Sequence, residues 1–215
     1  MQIAIIGAGN VGGALGTRWA EKGHSIRYAV RNPKDDKVQK LLASLKGKAQ
    51  AAGVAESTSA AEVVVLATPW EGARDALTAA GNLAGKILID ATNPINLGAE
   101  GLKAGLVLGH DSSGGEQVAA WANGARVVKA FNTTGAVNML NPVYGSQKAT
   151  MFICGDAADA KATVKKLSDE IGFETIDAGP LSVARLLEPL AMLWIHLAYA
   201  GGVGPDFILR LVKRT

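Results

Sequence analysis

The chain has 215 residues, 48% hydrophobic and 19% charged, with 26 glycines and only 7 prolines; this excludes a disordered or linker-dominated chain and fits one large domain or a domain with a small appendage. The formal net charge of +3 comes from scattered basic residues without a dense run or interleaved aromatics, so nucleic acid is not implied. The single cysteine, Cys154, excludes an internal disulfide and a cysteine-based metal cluster, and reads as a buried strand residue.

The apolar run Ile3 to Ile6 lacks polar alternation, as a parallel strand covered on both faces should. Gly7, Gly9 and Gly12 follow as G-x-G-x-x-G and lead into a helix to about Lys22. The pattern is weak alone, but a strand before it and a helix after it make it a dinucleotide-binding opening. Gly7 allows the tight turn, Gly9 lets backbone approach a pyrophosphate, and Gly12 lets helix and strand lie close. The free N–H groups at the helix start, around Asn10 and Val11, then face phosphate. Gly13 and Gly16 read as packing positions. Met1 leads straight into this strand without a basic leader, so the expectation is a soluble, cytoplasmic protein.

Gly23-His24 makes a turn before a second strand, Ser25 to Val30. An acid at its end would bond the adenosine ribose 2′-hydroxyl and select NAD. Arg31 and Asn32 stand there instead, and an Arg forks onto a 2′-phosphate with Asn as a further donor, which points to NADP. A helix is predicted over 35–46, a weak strand over Ala49 to Ala55, and a buried strand over Glu62 to Ala67 that ends in Thr68, Pro69 and Trp70. Ligands in such sheets sit beyond the carboxyl ends of the strands, so this turn lies in the cofactor crevice. A helix over 71–80 and a strand Lys86 to Asp90 follow, the strand ending before Asn93.

Residues 95–111 read as a glycine-dotted loop in which His110 is a surface residue. Ser113 and Glu116 have capping-box spacing before a helix through Trp121. The strand Arg126 to Phe131 ends at Asn132, on the predicted substrate side. A strand at Thr150 to Cys154, a helix from about Ala157 to Glu170, a strand at Phe173 to Ile176 and a long helical region from Ser182 complete the alternation. The fold class is therefore α/β, a Rossmann-type doubly wound parallel sheet with a small C-terminal appendage. Residues 1–145 are the expected dinucleotide-binding domain, and 146–215 a small C-terminal domain for the substrate pocket and dimer contact. Arg185 to Tyr199 is apolar nearly all round and is expected to be buried on several sides, partly between subunits. Its stretch Leu190 to Tyr199 is short for a membrane span of about 20 residues.

Taken together, Gly9-Asn10-Val11-Gly12, Gly23-His24, Arg31, Pro69-Trp70-Glu71, Cys154-Gly155-Asp156 and Asp177-Ala-Gly-Pro-Leu-Ser182 with Arg185-Leu186 and Glu188 resemble the NADPH-dependent reductases of the deazaflavin coenzyme F420 and their bacterial relatives. Lys129-Ala-Phe-Asn132 also resembles the reductase domain of eukaryotic metalloreductases, which pass electrons from NADPH to a flavin. The resemblance implies hydride transfer between NADP(H) and a deazaflavin or flavin. It places the nicotinamide beyond Thr68 and Asn93, with Ala136 close by and the acceptor ring stacked on it under the C-terminal helices.

Archaeal members carry His at the position of Asn132, a departure that keeps an ordinary flavin open as acceptor, and Ser at that of Val30, a departure that removes one 2′-phosphate contact and leaves Arg31 to carry the NADP preference. Asn132 is the candidate catalytic residue, either orienting a reacting ring or anchoring the loop at Thr133-Thr134-Gly135. Two other readings remain. One is a carbonyl or imine reductase, for which Tyr144-Gly-Ser-Gln-Lys148 matches Tyr-x-x-x-Lys but reads as loop; the other is a non-catalytic NADPH-sensing module.

Overall fold

The computed structural model describes residues 1–95, 105–122 and 124–214. From the N-terminus come β1 (Gln2–Ile6), α1 (Asn10–Glu21), β2 (Ser25–Ala29), α2 (Asp36–Ser44), β3 (Ala49–Ala52), α3 (Val54–Ser59) and β4 (Val63–Leu66). A 3-10 turn at Trp70–Gly72 then leads to α4 (Ala73–Ala80), β5 (Ile87–Asp90), α5 (Gly114–Trp121) and β6 (Arg126–Lys129). The last part holds α6 (Ala136–Leu140), β7 (Val143–Tyr144), β8 (Gln147–Lys148), β9 (Thr150–Gly155), α7 (Ala158–Glu170), β10 (Glu174–Asp177) and α8 (Ala184–Tyr199). Of the loop expected at 95–111, residues 96–104 lie outside the described residues; Ile95 bridges Leu106 in antiparallel fashion.

One eight-stranded sheet runs in the order β10-β9-β6-β5-β4-β1-β2-β3. β1 to β6 are parallel, the doubly wound arrangement expected from the sequence. β9 and β10 run the other way and join at β6 through Val128 opposite Gly155 and Lys129 opposite Cys154. Residue 145 therefore precedes a reversal of strand direction within one continuous sheet.

The period of two along β1 separates the two cores. Ile3 and Ile5 pack with Leu15 and Trp19 of α1, Met139 of α6 and Val164 and Leu167 of α7. Ala4 and Ile6 face Leu77 of α4, Val118 of α5 and Leu187 of α8. At the β10 edge the Thr175 N–H is taken by Asp169 Oδ1 at 3.1 Å, which blunts the edge against further pairing.

Four local details add to the sequence reading or differ from it. The strand expected to Ala55 stops at Ala52 because Gly53 starts α3, where the Thr58 hydroxyl ties back to Val54 O and across to Ala80 O. Residues 136–140 form α6, whose start at Ala136 packs against α1. Tyr144 and Lys148 lie on the paired strands β7 and β8, joined at Gly145, whose φ of +59 suits a two-residue hairpin turn. They do not project from one helix face, so the Tyr-x-x-x-Lys pattern is a hairpin here.

The fourth detail concerns α8, which within one chain is buried on one side only. Leu187, Ala191, Trp194 and Ala198 face inward, whereas Leu186 is 69% and Leu193 51% exposed. With its preceding turn the helix spans Leu181–Tyr199, 19 residues at a mean hydropathy of 1.3, long and apolar enough to cross a membrane by length and composition alone. Its Glu188, 1% exposed and ion-paired to a strand lysine, marks it as a helix docked on the sheet.

Candidate functional site

The parallel strands end on one rim, and the glycine turn sits at its centre between β2 and β4. Gly7 has φ +107, and a Cβ on it would lie 2.5 Å from Ala67 O. A Cβ on Gly12 would lie 2.1 Å from Gly7 O, so α1 can start directly behind β1 only with glycine at both positions. Gly9 differs: nothing lies within 4 Å of where its Cβ would be. It precedes α1 with no side-chain cap, and no acid stands in the first turn. An uncapped helix start under open space fits a pyrophosphate. Asn10 is exposed there, while Val11 leans onto the core.

Arg31 and Asn32 stand exposed past β2. Asn32 folds onto its own loop, its Oδ1 accepting the Lys34 N–H at 3.1 Å. The nearby Asp35 is turned onto the start of α2, where it accepts the Lys37 N–H at 2.9 Å. Arg31 makes no ion pair among the described residues, so its guanidinium is free for an anionic ligand.

The ends of β4, β5 and β6 supply the rest. Thr68 Oγ1 is buried and has no hydrogen-bond partner among the described residues. Pro69 leads into the turn that carries Trp70, whose ring packs on Trp121 of α5 at 5.2 Å between centroids, so Trp70 supports the rim by packing. Asn93 and Asn132 are laced together. Asn93 Nδ2 donates to Asn132 O at 2.9 Å, and Asn132 Nδ2 donates to Asn93 Oδ1 at 3.0 Å and to Leu187 O of α8 at 3.2 Å. Asn132 Oδ1 is buried and unpaired among the described residues. Phe131 before it adopts φ +63, a strained left-handed conformation for a bulky residue, next to the site as such strain often is. His110 is exposed at a groove of about 580 Å³ bordered by Leu106, Val107, Leu186 and Pro189.

The sequence reading overlooked a buried ion triad beneath this rim. Lys129 Nζ, 0% exposed, lies 2.8 Å from Asp90 Oδ2 and 2.7 Å from Glu188 Oε1. Thr92 N and Oγ1 bond the other Asp90 oxygen at 2.9 and 2.7 Å. Glu188 also accepts the Gly114 and Gly115 N–H groups at 2.9 and 3.0 Å, closing the start of α5. Burial alone would lower the Lys129 ammonium, but the two carboxylates and their hydrogen bonds outweigh it and hold the group above the ordinary lysine value. Burial pushes the thiol of the adjacent Cys154 up to about 12, so it is inert at neutral pH.

A second link joins α5 to α8. Arg185 forks onto Glu116 at 2.8 and 2.6 Å, and its hydrogen bond holds the Glu116 carboxyl below the usual range. Ser113 caps α5 as expected, but the Glu116 carboxylate bonds the Ser113 hydroxyl and Arg185 in place of the Ser113 N–H. The overlooked signal was one of charge: Asp90 closes an otherwise apolar strand and Lys129 follows the apolar pair Val127-Val128, opposite each other in register.

Residues 2–94 match the family described as coenzyme F420-dependent NADP oxidoreductase. The chain is 31% identical over 207 residues to the F420-dependent NADP reductase of Methanothermobacter marburgensis, covering 92% of each. It is 34% identical over 195 residues to the metalloreductase STEAP3 of Rattus norvegicus, covering 89% of this chain but spanning only 37% of that protein. Among solved structures, a candidate F420-dependent NADP reductase from Arthrobacter sp. FB24 superposes with a TM-score of 0.91 at 34% identity, over 99% of this chain and 100% of that one. A reductive aminase from Aspergillus terreus in complex with NADPH shares the fold, with a TM-score of 0.66 at 18% identity over 93% of this chain and 63% of that one.

The triad yields a stability prediction. Lys129→Met leaves two carboxylates buried beside each other and is expected to cost about 3–5 kcal/mol, with Lys129→Met/Glu188→Gln costing less than the single change. Urea denaturation at pH 7 measures both. Because the folded lysine is held above its unfolded value, its contribution is complete below about pH 10 and is lost only as pH rises through the higher folded value. In wild type this contribution should therefore stay level through the neutral range and be lost only in strong alkali.

Proposed function

As the chain belongs to the coenzyme F420-dependent NADP oxidoreductase family, we propose that it transfers a hydride between NADP(H) and a planar deazaflavin or flavin acceptor. The observation that carries the cofactor half is the uncapped start of α1 under open space at Gly9, with the unpaired Arg31 at the end of β2 and no acid in its place. When both are bound, NADPH supplies a hydride and the acceptor takes it together with one proton from solvent.

The residues then divide the work. Backbone N–H groups of Asn10, Val11 and Gly12 face the pyrophosphate, and Gly7, Gly9 and Gly12 keep the approach clear. Arg31 forks onto the 2′-phosphate, with the Asn32 amide beside it. Thr68, Pro69, Trp70, Asn93 and Ala136 line the nicotinamide end. The unpaired Thr68 Oγ1 is a ready hydrogen-bonding partner for the carboxamide. Asn132 offers an unpaired Oδ1 while its Nδ2 holds α8 and Asn93, so it both anchors the loop and presents an acceptor atom to a ring N–H. Hydride transfer between two aligned rings needs placement and exclusion of water more than a titrating group. Flavin and F420 are both kept as acceptors because Asn132 stands at the position of the archaeal histidine. The carbonyl-reductase alternative loses its Tyr-x-x-x-Lys dyad to the β7–β8 hairpin, where the Tyr144 hydroxyl donates to Asn138 Oδ1 at 2.7 Å.

We further propose a homodimer, built on the outer face of α8. Leu186 and Leu193, two turns apart on one face and at 69% and 51% exposure, give an apolar surface on a helix whose other side is docked. Trp194 belongs to the docked side, so the informative probe is Leu193.

Three outcomes are expected. Arg31→Ala should weaken NADPH binding about ten- to a hundredfold, the loss of a charge-assisted fork worth roughly 1.5–3 kcal/mol, and leave NADH nearly unaffected; equal weakening of both in equilibrium titrations would make Arg31 structural. Asn132→Ala should cut acceptor turnover by about tenfold or more with NADPH affinity unchanged, as a lost positioned hydrogen bond does; steady-state kinetics beside NADPH titration separates this from a fall in both. Sedimentation should find a dimer for the wild type and a folded monomer for Leu193→Asp, and a monodisperse wild-type monomer at micromolar concentration would remove the dimer.

A further inference from the structure

The parallel strands β1, β2 and β3 start at the end of the sheet opposite the glycine turn and Arg31. Register sets Gln2 beside Ser25, Ala4 beside Arg27 and Arg27 beside Gln50, all on the face where Ala4, Ile6 and Ala29 enter the core. Apolar residues on this face thus give way to polar ones toward the strand starts. α3, which packs over β2 on this face, is only six residues long. Between its C-terminal end and the strand starts lies a cavity of about 260 Å³, walled by Gln2, Ser25, Arg27, Lys48, Gln50 and Ser57.

The charge in this wall is positive and unspent. Among the described residues neither Arg27 nor Lys48 makes an ion pair, and no carboxylate lines the cavity. Glu62, next in sequence to the lining, is turned onto backbone, its Oε1 accepting the Gln2 N–H at 2.8 Å. The carbonyls at the end of α3, which would repel an anion, are covered by a third cation: Lys86 Nζ donates to Ser59 O at 2.9 Å and to Ala61 O at 2.8 Å. The helix side of the wall holds a hydroxyl without a partner. Ser57 is 2% exposed, and its Oγ makes no hydrogen bond among the described residues, whereas the neighbouring Thr58 spends its hydroxyl on Val54 O and Ala80 O. A buried hydroxyl is ordinarily paired. Arg27 is half-buried, so an anion that reaches it is less screened than on an open surface.

We propose that this cavity is a second anion site, separate from the cofactor crevice, and that it takes a small phosphomonoester. The phosphate forks onto Arg27 with the Lys48 ammonium beside it. The amides of Gln2 and Gln50 and the Ser25 hydroxyl serve the hydroxyl groups of the ester, and the Ser57 hydroxyl gains the partner it lacks. Size sets the class of ligand. Pockets for drug-sized molecules hold roughly 300–1,000 Å³, so this one is too small for a second dinucleotide and suits a phosphorylated compound of a few carbons. Arg27 and Arg31 lie toward opposite ends of β2, so the site is independent of which acceptor takes the hydride.

The test is equilibrium dialysis of glycerol 3-phosphate and of inorganic phosphate against protein saturated with NADP+, so that the crevice at the glycine turn is filled, with the melting temperature of every variant measured alongside. Wild type should bind glycerol 3-phosphate in the millimolar range or below, more weakly as salt is raised. Arg27→Gln and Lys48→Gln should each weaken it about tenfold or more, the loss expected for a charge-assisted contact to phosphate. Arg31→Ala should leave it level. Lys48 is exposed, so Lys48→Gln decides the matter if Arg27→Gln does not fold. Inorganic phosphate binding as tightly, and weakened by the same variants, supports the site with the free ion as its ligand. No binding of either probe in the millimolar range, binding by Lys48→Gln equal to wild type, or loss of binding in Arg31→Ala, which would place the probe in the cofactor crevice, each overturns the proposal and leaves the hydride-transfer reading untouched.

Discussion

A lysine buried between two carboxylates holds the two halves of the site in one piece. Lys129 ends β6, Asp90 ends β5, and Glu188 comes from the second turn of α8, nearly a hundred residues further along the chain than Asp90. Such a cluster is poor value as stabilisation alone, since well-packed apolar residues would do as well or better. What it adds is position. The carboxylate of Glu188 reaches the ammonium only when α8 lies across the ends of β5 and β6, and it simultaneously takes the N–H groups of Gly114 and Gly115 that start α5. Leu187 O, one residue earlier, is held by Asn132. Two neighbouring residues of one helix are thus pinned to the ends of β5 and β6, and a one-residue slip of α8 would leave a buried charge unpaired.

The same reach explains what was legible in the sequence. The glycine turn, β1 and the missing acid after β2 are local features, and a strand of four apolar residues followed by G-x-G-x-x-G has few alternatives. The parallel order followed from alternation. β7 and β8 were missed although Gly145-Ser146 is a usable hairpin signal, because each strand is only two residues long and carries no periodicity. α3 was missed because alanine-rich stretches fit strand or helix, and Gly53 decides between them only in place. The triad was the larger omission. Each charge looked like an ordinary strand end, and only the register of β5 against β6 sets Asp90 opposite Lys129.

The docked side of α8 was hidden for a related reason. Helical periodicity identified a helix apolar nearly all round, expected to be buried on several sides and partly between subunits, without saying which side meets the sheet. The structure docks one side and leaves Leu186 and Leu193 outward, because the docking side is chosen by Glu188 and Trp194, not by total hydrophobicity. The family positions Asp177-Ala-Gly-Pro-Leu-Ser182 now have a physical role in that choice. Lys161 bonds Asp177 Oδ1 and Gly179 O, and Asp156 Oδ1 accepts the Leu181 N–H at 2.9 Å, so the loop enters α8 from a fixed direction. These residues guide the helix without touching the rim.

Anchored at one end, α8 is less completely satisfied at the other. Glu188 has partners for both carboxylate oxygens, whereas Trp194, nearly two turns on, has a buried N–H with none. Thr68 Oγ1 and Asn132 Oδ1, at the ends of β4 and β6, are likewise buried and unpaired. An unmade buried hydrogen bond costs roughly 1–3 kcal/mol, so a fold that needed only stability would have replaced or paired these atoms, as it did for Trp19, Asp90 and Lys129. Departures from local consistency collect where a protein has work to do. Here Thr68 Oγ1 and Asn132 Oδ1 lie at the rim and Trp194 beside it, with the paired charges beneath, whereas Arg18 Nε, His24 Nδ1 and Ser57 Oγ are buried and unpaired away from the rim, so the pattern is only partly confined to the site. The rim is thus held from below by ions that are fully paired, and the unpaired atoms of Thr68 and Asn132 above them are the ones that the proposed hydride transfer would use to align two flat rings.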